Sequence, residues 1–282
     1  MVNSELNVSL SLMVEQWDQV KEALHSGKVD AMDTEKLISD YMFFKQFDDM
    51  FRQAVQHFEI PLETIQPMYR GANGKVALDN YERMIPKLEF AKGHNRMNPP
   101  NTAFIYLGVL GENRGRTKDV VKKHITKTLL QEIRASRDSM ATICEFQVSD
   151  KGKGKKIVSV CGDDSIPLSE RQIVAHIRNQ ISKNRNKESI EQVISRVLTS
   201  VYFNIFSSDK IFKPVETDQQ EVKKYEYSPF HALASYILKQ GYAGIQFKST
   251  VHRSGTNLVL FETDDVSAVE NSMEHVQASE FI

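Results

Sequence analysis

Gly241-Tyr-Ala-Gly-Ile-Gln-Phe-Lys-Ser249, followed by Gly255-Thr-Asn257 and the apolar run Leu258-Val-Leu-Phe261, decides how this chain is read. Two β-rich runs flank a short loop that carries Ser249, His252, Arg253 and Asn257. Polar side chains of this kind gather where a strand pair opens toward a ligand, because loops hold function on a scaffold that strands keep rigid. The loop is therefore a candidate site, and the strands around it predict a sheet.

Working toward the N-terminus, two further polar clusters stand in apolar surroundings. One is Met68-Tyr69-Arg70-Gly71. The other is Asn95-Arg96-Met97-Asn98-Pro99-Pro100, which runs into the strand-like Phe104-Ile105-Tyr106-Leu107. With Glu132 in Leu129-Leu-Gln-Glu132-Ile-Arg134, the ordered set Arg70, Arg96, Tyr106, Glu132, Ser249 and Asn257 resembles the polar signature of the RES domain family, named for its arginine, glutamate and serine. The likeness covers about residues 69–261 and is strongest at Arg96-Met-Asn-Pro-Pro100 with Tyr106-Leu107, and from Gly241-Tyr242 through Phe261. It departs from the family pattern at Asn101, where glycine is usual, and at Ala243, where aspartate is usual. Asn101 is still expected to occupy a left-handed turn.

The resemblance implies an α+β fold, a mixed β core with flanking helices resembling the ADP-ribosyltransferase toxins. It also implies consumption of nicotinamide adenine dinucleotide (NAD) as substrate by hydrolysis, phosphorolysis or ADP-ribosyl transfer. Many such domains are toxins silenced by a cognate antitoxin. In this chain the resemblance implies Glu132, Arg70 and Tyr106 as catalytic residues and Tyr69, Arg70, Arg96, Tyr106, Ser249 and Asn257 as dinucleotide-binding ones, with Arg70 and Arg96 on the phosphates, Tyr106 lining the nicotinamide or ribose pocket, Glu132 steadying the developing cation, and Ser249 and Asn257 orienting sugar or phosphate.

Residue chemistry is compatible with those roles. Arginine presents a planar five-donor fork that suits bidentate phosphate recognition, and two of them in apolar company are costly without an anion. Tyrosine offers a flat face and a hydroxyl, and one carboxylate can stabilise an oxocarbenium-like sugar. Read without the family likeness, an Arg-Glu pair beside a tyrosine is an ordinary partly buried ion pair. The stretch from Gly108 to Leu130, with Gly111, Gly115, Glu112, Asp119 and the cations Arg114, Arg116, Lys118, Lys122, Lys123 and Lys127, reads as an inserted loop and helix. Because the tyrosine and glutamate usually stand closer together, Glu145 in Ile143-Cys-Glu145-Phe146 is the competing acid. Glu132 is preferred, since the alternation of residues 142–148 is expected to turn Glu145 to solvent.

Composition sets outer bounds. The chain has 282 residues, 40% of them hydrophobic, with 36 Lys and Arg against 37 Asp and Glu for a net charge of −1. That is enough to bury a full core, and it gives no polyanion-seeking surface. The alternative function, a nucleic-acid or protein-binding module using residues 114–127, is disfavoured because acids are interspersed there and few aromatics interleave. Cys144 and Cys161 read as free thiols in a reducing cytoplasm, the first residues lack the basic region of a secretory signal, and no apolar run reaches a membrane span. His-Glu-x-x-His, Cys-x-x-Cys, Gly-x-Ser-x-Gly and Gly-x-Gly-x-x-Gly are all missing, so no metal is expected.

Three regions follow: a helical N-terminal appendage over 1–66, a catalytic domain over 67–262, and an acidic, frayed tail over 263–282. The appendage centres on a helical face from Asp33 to Phe58, with Asp33 as N-cap. Ser169 with Gln172 predicts a capping box opening a helix to about Ser182; further helices are expected from about Glu188 and from Tyr227 to Gln240, the last beginning near Pro229. Lys151-Gly-Lys-Gly-Lys-Lys156 predicts a hairpin turn rather than a phosphate loop.

Overall fold

The computed structural model describes residues 10–111, 116–166, 169–184, 187–206, 215, 219–252 and 254–282. Glu112, Arg114, Gly115 and Arg253 lie outside the described residues. The elements run α1 (Leu10–His25), α2 (Thr34–Asp40), α3 (Met42–Ala54), β1 (Glu59–Pro61), β2 (Met68–Asn73), β3 (Ile105–Val109), α4 (Lys118–Glu132), β4 (Met140–Val148) and β5 (Lys156–Ser159). They continue with α5 (Glu170–Lys183), α6 (Ile190–Phe206), α7 (Gln220–Lys239), β6 (Gly244–Lys248), β7 (Thr256–Leu260), β8 (Val266–Ala268) and β9 (Glu274–Gln277). The fold is α+β. No helix among the described residues is long and apolar enough to cross a membrane.

The chain divides into two compact units. One comprises Met1–Glu59 with Val160–Tyr236, and the other Ile60–Ser159 with Ile237–Ile282. In the first, the helices expected as a separate appendage share a core with α5, α6 and most of α7. Trp17, Phe43, Phe44, Phe47, Phe51, Phe203, Phe230 and Tyr236 are all fully buried there. Edge-on ring pairs such as Trp17–Phe43 at 5.1 Å and Phe47–Tyr236 at 5.5 Å add to the area they bury. The Tyr236 hydroxyl donates to Asp48 at 2.6 Å, and Arg52 pairs with the same carboxylate at 2.7 Å, so the one buried acid in α3 is compensated.

Local signals explain the element ends. Asp33 caps α2 as expected, its carboxylate accepting the Lys36 amide at 3.1 Å. The helical stripe is nevertheless cut at Tyr41, which is extended at φ −121°, ψ 116°. Asp40 sits in the last turn of α2, where the helix dipole disfavours a carboxylate and no basic residue offsets it. Ser169 makes no side-chain cap bond. The reciprocal capping box stands at α6 instead, where the Ser189 amide donates to Gln192 Oε1 at 2.9 Å and the Gln192 amide to Ser189 Oγ at 3.2 Å. Helix α7 starts well before Pro229 and carries it inside.

The second unit is built on a sheet of order β1-β5-β6-β7-β3-β2-β4-β8, with β9 also paired to β4. Strands β5 and β6 are parallel and the other registered pairs antiparallel. Residues 151–156 form a turn, but β4 and β5 are not neighbours, so it is no hairpin. The expected tail is corrected too: β8 pairs β4 at Phe146↔Ala268, and β9 pairs it at Ala141↔Val276. Val266, Met273, Val276 and Ala278 are buried, and that apolar area holds an otherwise acidic segment in the sheet.

Each face of the sheet has its own core. Met68, Ile105, Leu107, Val109, Cys144, Phe146, Leu258 and Leu260 belong to one. Tyr69, Ile143 and Val276 belong to the other, covered by Val121, Ile125, Leu129 and Leu130 of α4. Helix α4 is seated over Gly108: a Cβ there would come within 2.8 Å of Ile125 and 2.9 Å of Leu129. Only glycine leaves room for this approach.

Candidate active site

Register builds the site. Glu145 pairs with Tyr69, Tyr69 with Gly108, Gly108 with Asn257, and Asn257 with Phe247. Directly opposed residues share a face, so this row crosses β4, β2, β3, β7 and β6 on the side covered by α4. Tyr106, two residues before Gly108, projects on the same side.

Helix α4 meets the loop between β6 and β7 through side chains spaced four residues apart. His124 Nε2 lies 2.9 Å from the Ser254 carbonyl, Thr128 Oγ1 lies 2.7 Å from His252 Nδ1, and Asn257 Nδ2 donates to Glu132 Oε1 at 2.5 Å. Residues four apart stand above one another on a helix, so one polar stripe of α4 meets His252 and Ser254 of the loop and Asn257 of β7. Glu132 ends α4, where the dipole disfavours a carboxylate, and Asn257 compensates by donating to it. Ser249 shapes the same loop. Its amide donates to the Gly255 carbonyl at 2.9 Å, and its oxygen accepts the amides of Val251 and His252 at 3.3 and 3.0 Å. The side-chain oxygen is thus an acceptor in the turn, and its hydrogen remains available to donate.

Arg96 places its guanidinium carbon 4.9 Å from the centre of the Phe247 ring, a cation–π contact on the same face. Its loop is joined to Tyr106, whose hydroxyl accepts the Met97 amide at 3.0 Å and donates to Asn98 Oδ1 at 2.8 Å. Asn101 has φ 62°, the left-handed turn expected where glycine is usual.

Arg70 does not share the face of Tyr69 and Tyr106. It follows Tyr69 in β2, and successive strand residues point to opposite faces. Its Cα opposes Cys144, so the side chain leaves the strand on the Cys144 side. Strands β2 and β3 are laddered at Met68↔Val109 and Tyr69↔Gly108 and part beyond. There Arg70 Nη1 donates to the Tyr106 carbonyl at 3.1 Å. Arg70 and the Arg96 loop therefore meet opposite ends of one tyrosine. Burial, reinforced by the charge of Arg83, pulls the Arg70 guanidinium down to about 10, while Tyr106 opposes that shift. It remains a cation at neutral pH, and no carboxylate of the described residues pairs with it.

The competing acid is not turned to solvent. Glu145 is half-buried and accepts the Tyr69 hydroxyl at 3.2 Å, whereas Glu132 is the more exposed of the two. The expectation failed because Phe146 on one side and the Glu145 row on the other are both covered, leaving β4 without a bare face here. Burial first, then the Glu145 charge, raises the Tyr69 phenol far above its ordinary range. His252 is lowered by burial and by His124 and Lys127. Among the described residues no group of three or more His, Cys, Asp and Glu could hold a metal ion.

Phe247 and Thr128 have no place in the sequence reading, and His252 and Asn98 enter it only as members of polar stretches, with no role given to them. Phe247 was readable in principle, since it alternates with Ser249 in the opening strand. The partners of Asn98 and Thr128 depend on tertiary approach and had no local signal.

Residues 187–279 match the family model described as RES domain. The match contains Ser249 and Asn257 and begins after Arg70, Arg96, Tyr106 and Glu132. None of the curated proteins matches the chain. Among solved structures it is similar to a chain of the M. tuberculosis MbcT-MbcA toxin-antitoxin complex, at 11% identity and a TM-score of 0.38, over 84% of this chain and 93% of that one. The segment from residue 187 to residue 279, which supplies β6, the Ser249 loop and β7, is thus the part of the chain that is similar to the RES domain family.

Proposed function

We propose that this chain is an NAD-consuming enzyme of the RES type that breaks the bond between nicotinamide and ribose. The observation that carries the reading is the Asn257–Glu132 hydrogen bond, which joins two residues 125 apart in sequence, both implied by the family resemblance. It supports Glu132 rather than Glu145 as the working acid.

In this reading the Arg96 fork, held over Phe247, takes the dinucleotide phosphates, and Arg70 supplies a second cation from the parting of β2 and β3. The Tyr106 and Tyr69 rings line the pocket. Nicotinamide leaves with the bonding electron pair, which neutralises its ring nitrogen, so no proton need be delivered to it. A single carboxylate then suffices: Glu132 faces the cation that develops on the ribose, and Asn257 fixes the carboxylate orientation. Ser249 keeps a donor for a sugar hydroxyl or phosphate oxygen. Water as acceptor gives nicotinamide, ADP-ribose and a proton; inorganic phosphate gives phosphorylated ADP-ribose; a macromolecular nucleophile gives an ADP-ribosylated product.

The further proposal is a cytoplasmic toxin held inactive by a cognate antitoxin protein. Induced expression in a bacterial host should lower cellular NAD before growth stops, and the Glu132→Gln protein at equal abundance should spare it. Growth arrest with an intact NAD pool would remove the reading.

A further inference from the structure

Asn98 is 2% exposed, and both ends of its amide are used. Nδ2 donates to the Thr102 carbonyl at 2.8 Å, and Oδ1 accepts the Tyr106 hydroxyl at 2.8 Å. The one hydrogen of that hydroxyl is thereby committed, and its oxygen accepts the Met97 amide at 3.0 Å. The loop is also closed by its own backbone, the Asn95 amide donating to Asn98 at 3.0 Å and the Asn101 amide to Ala91 at 2.6 Å. The phenol oxygen joins Met97 and Asn98 to β3, and Arg96 precedes them directly.

We propose that Asn98 is a positioning residue: through the Tyr106 hydroxyl it seats the loop that carries Arg96 and so sets the guanidinium over Phe247. The tyrosine hydroxyl is then a latch, and what the residue presents to a ligand is its ring. A buried amide satisfied at both ends resists replacement, because losing either partner leaves a polar group unpaired. Asp would lose the donor to Thr102 and bury a charge, so no single substitution reproduces both bonds.

The consequence for the dinucleotide rests on the proposed function; the latch itself does not. The test therefore has two arms, applied to the purified full chain and its Tyr106→Phe, Asn98→Ala and double variants. Amide hydrogen exchange at Met97 should speed up by about tenfold in each single variant, the loss of about one hydrogen bond, with the amides of β4 unchanged. Unchanged Met97 protection in Tyr106→Phe, which is conservative enough to fold, would overturn the latch whether or not NAD is consumed. In the second arm, each single variant should raise KM for NAD by about tenfold while kcat stays within about threefold. The double variant should be no worse than the worse single one, since both break one unit. A fall in kcat at constant KM would show the hydroxyl acting on substrate and overturn the positioning role, as would multiplying KM effects.

Discussion

Replacing Glu132 by Gln isolates the charge that the proposed mechanism needs. The substitution is nearly isosteric, and Gln Oε1 can still accept from Asn257 Nδ2, now at 2.5 Å from the carboxylate, so the end of α4 and the loop should keep their places. The charge is lost opposite a cation that forms only as the glycosidic bond breaks. Two unit charges about 4 Å apart at an effective dielectric of about 20 interact by about 4 kcal/mol. Glu132 is exposed, so water screens part of that, and a loss of about 10²–10³ in kcat follows, in line with removing one well-placed electrostatic group. KM should change by no more than about threefold, because the ground-state ribose carries less of the charge. Steady-state release of nicotinamide from NAD is the assay, with thermal unfolding as the control for folding. Glu145→Gln is the comparison. It should weaken the Tyr69 contact and cost stability of about 1 kcal/mol, with turnover reduced far less than by Glu132→Gln. Turnover abolished by Glu145→Gln and preserved in Glu132→Gln would refute the assignment and move the chemistry from beside β7 to β4.

Arg96→Lys keeps a charge but loses the bidentate fork, so dinucleotide binding should weaken by about 1.5–3 kcal/mol for each charge-assisted bond lost, read by calorimetric titration at unchanged thermal stability. Parental affinity would exclude the phosphate role. Gly108→Ala should destabilise the protein by about 1–3 kcal/mol, because the added methyl meets Ile125 and Leu129, and it should lower turnover by lifting α4 and Glu132; a denaturant midpoint equal to the parent would contradict the seating of α4. His252 has a folded-state pKa below its ordinary 6.5, so the folded protein binds fewer protons there than the unfolded chain. Its contribution to stability is complete above about pH 6.5 and is lost as pH falls through the folded value; His252→Gln should flatten that part of the stability curve, and an unchanged slope would show that another group titrates.

Strand pairs with short loops were legible because alternation and turn residues are local. The runs before Ser249 and after Gly255 became β6 and β7, and Asn101 took its left-handed turn. Of the stripe from Leu37 to Phe58, Leu37, Phe44, Phe47 and Phe51 are buried, whereas Met42 is exposed and Phe43, outside the stripe, is buried. What it packs against was not legible, since Phe47 meets Tyr202 and Tyr236, far along the chain. The tail was misjudged for a similar reason: Val266 and Val276 are too sparse to announce strands, and β4 supplies the template. In the site, Asn257 and Glu132 meet in one hydrogen bond. Tyr69 and Arg70, neighbours in β2, leave it on opposite faces, and the parting of β2 and β3 that lets Arg70 reach the Tyr106 carbonyl has no local signal. The latch at Asn98 and the Thr128–His252 contact depend on side chains meeting across elements, and no spacing rule in a single sequence encodes that.

Cleavage of NAD at the nicotinamide–ribose bond by the purified, folded protein is the central claim, and product analysis tests it most directly. Incubation with NAD, with and without inorganic phosphate, should release nicotinamide in step with NAD loss, and the partner product should be ADP-ribose, its phosphorylated form or an ADP-ribosylated protein. Undiminished NAD over a folded sample, or cleavage at the pyrophosphate to give nicotinamide mononucleotide and AMP, would contradict the account.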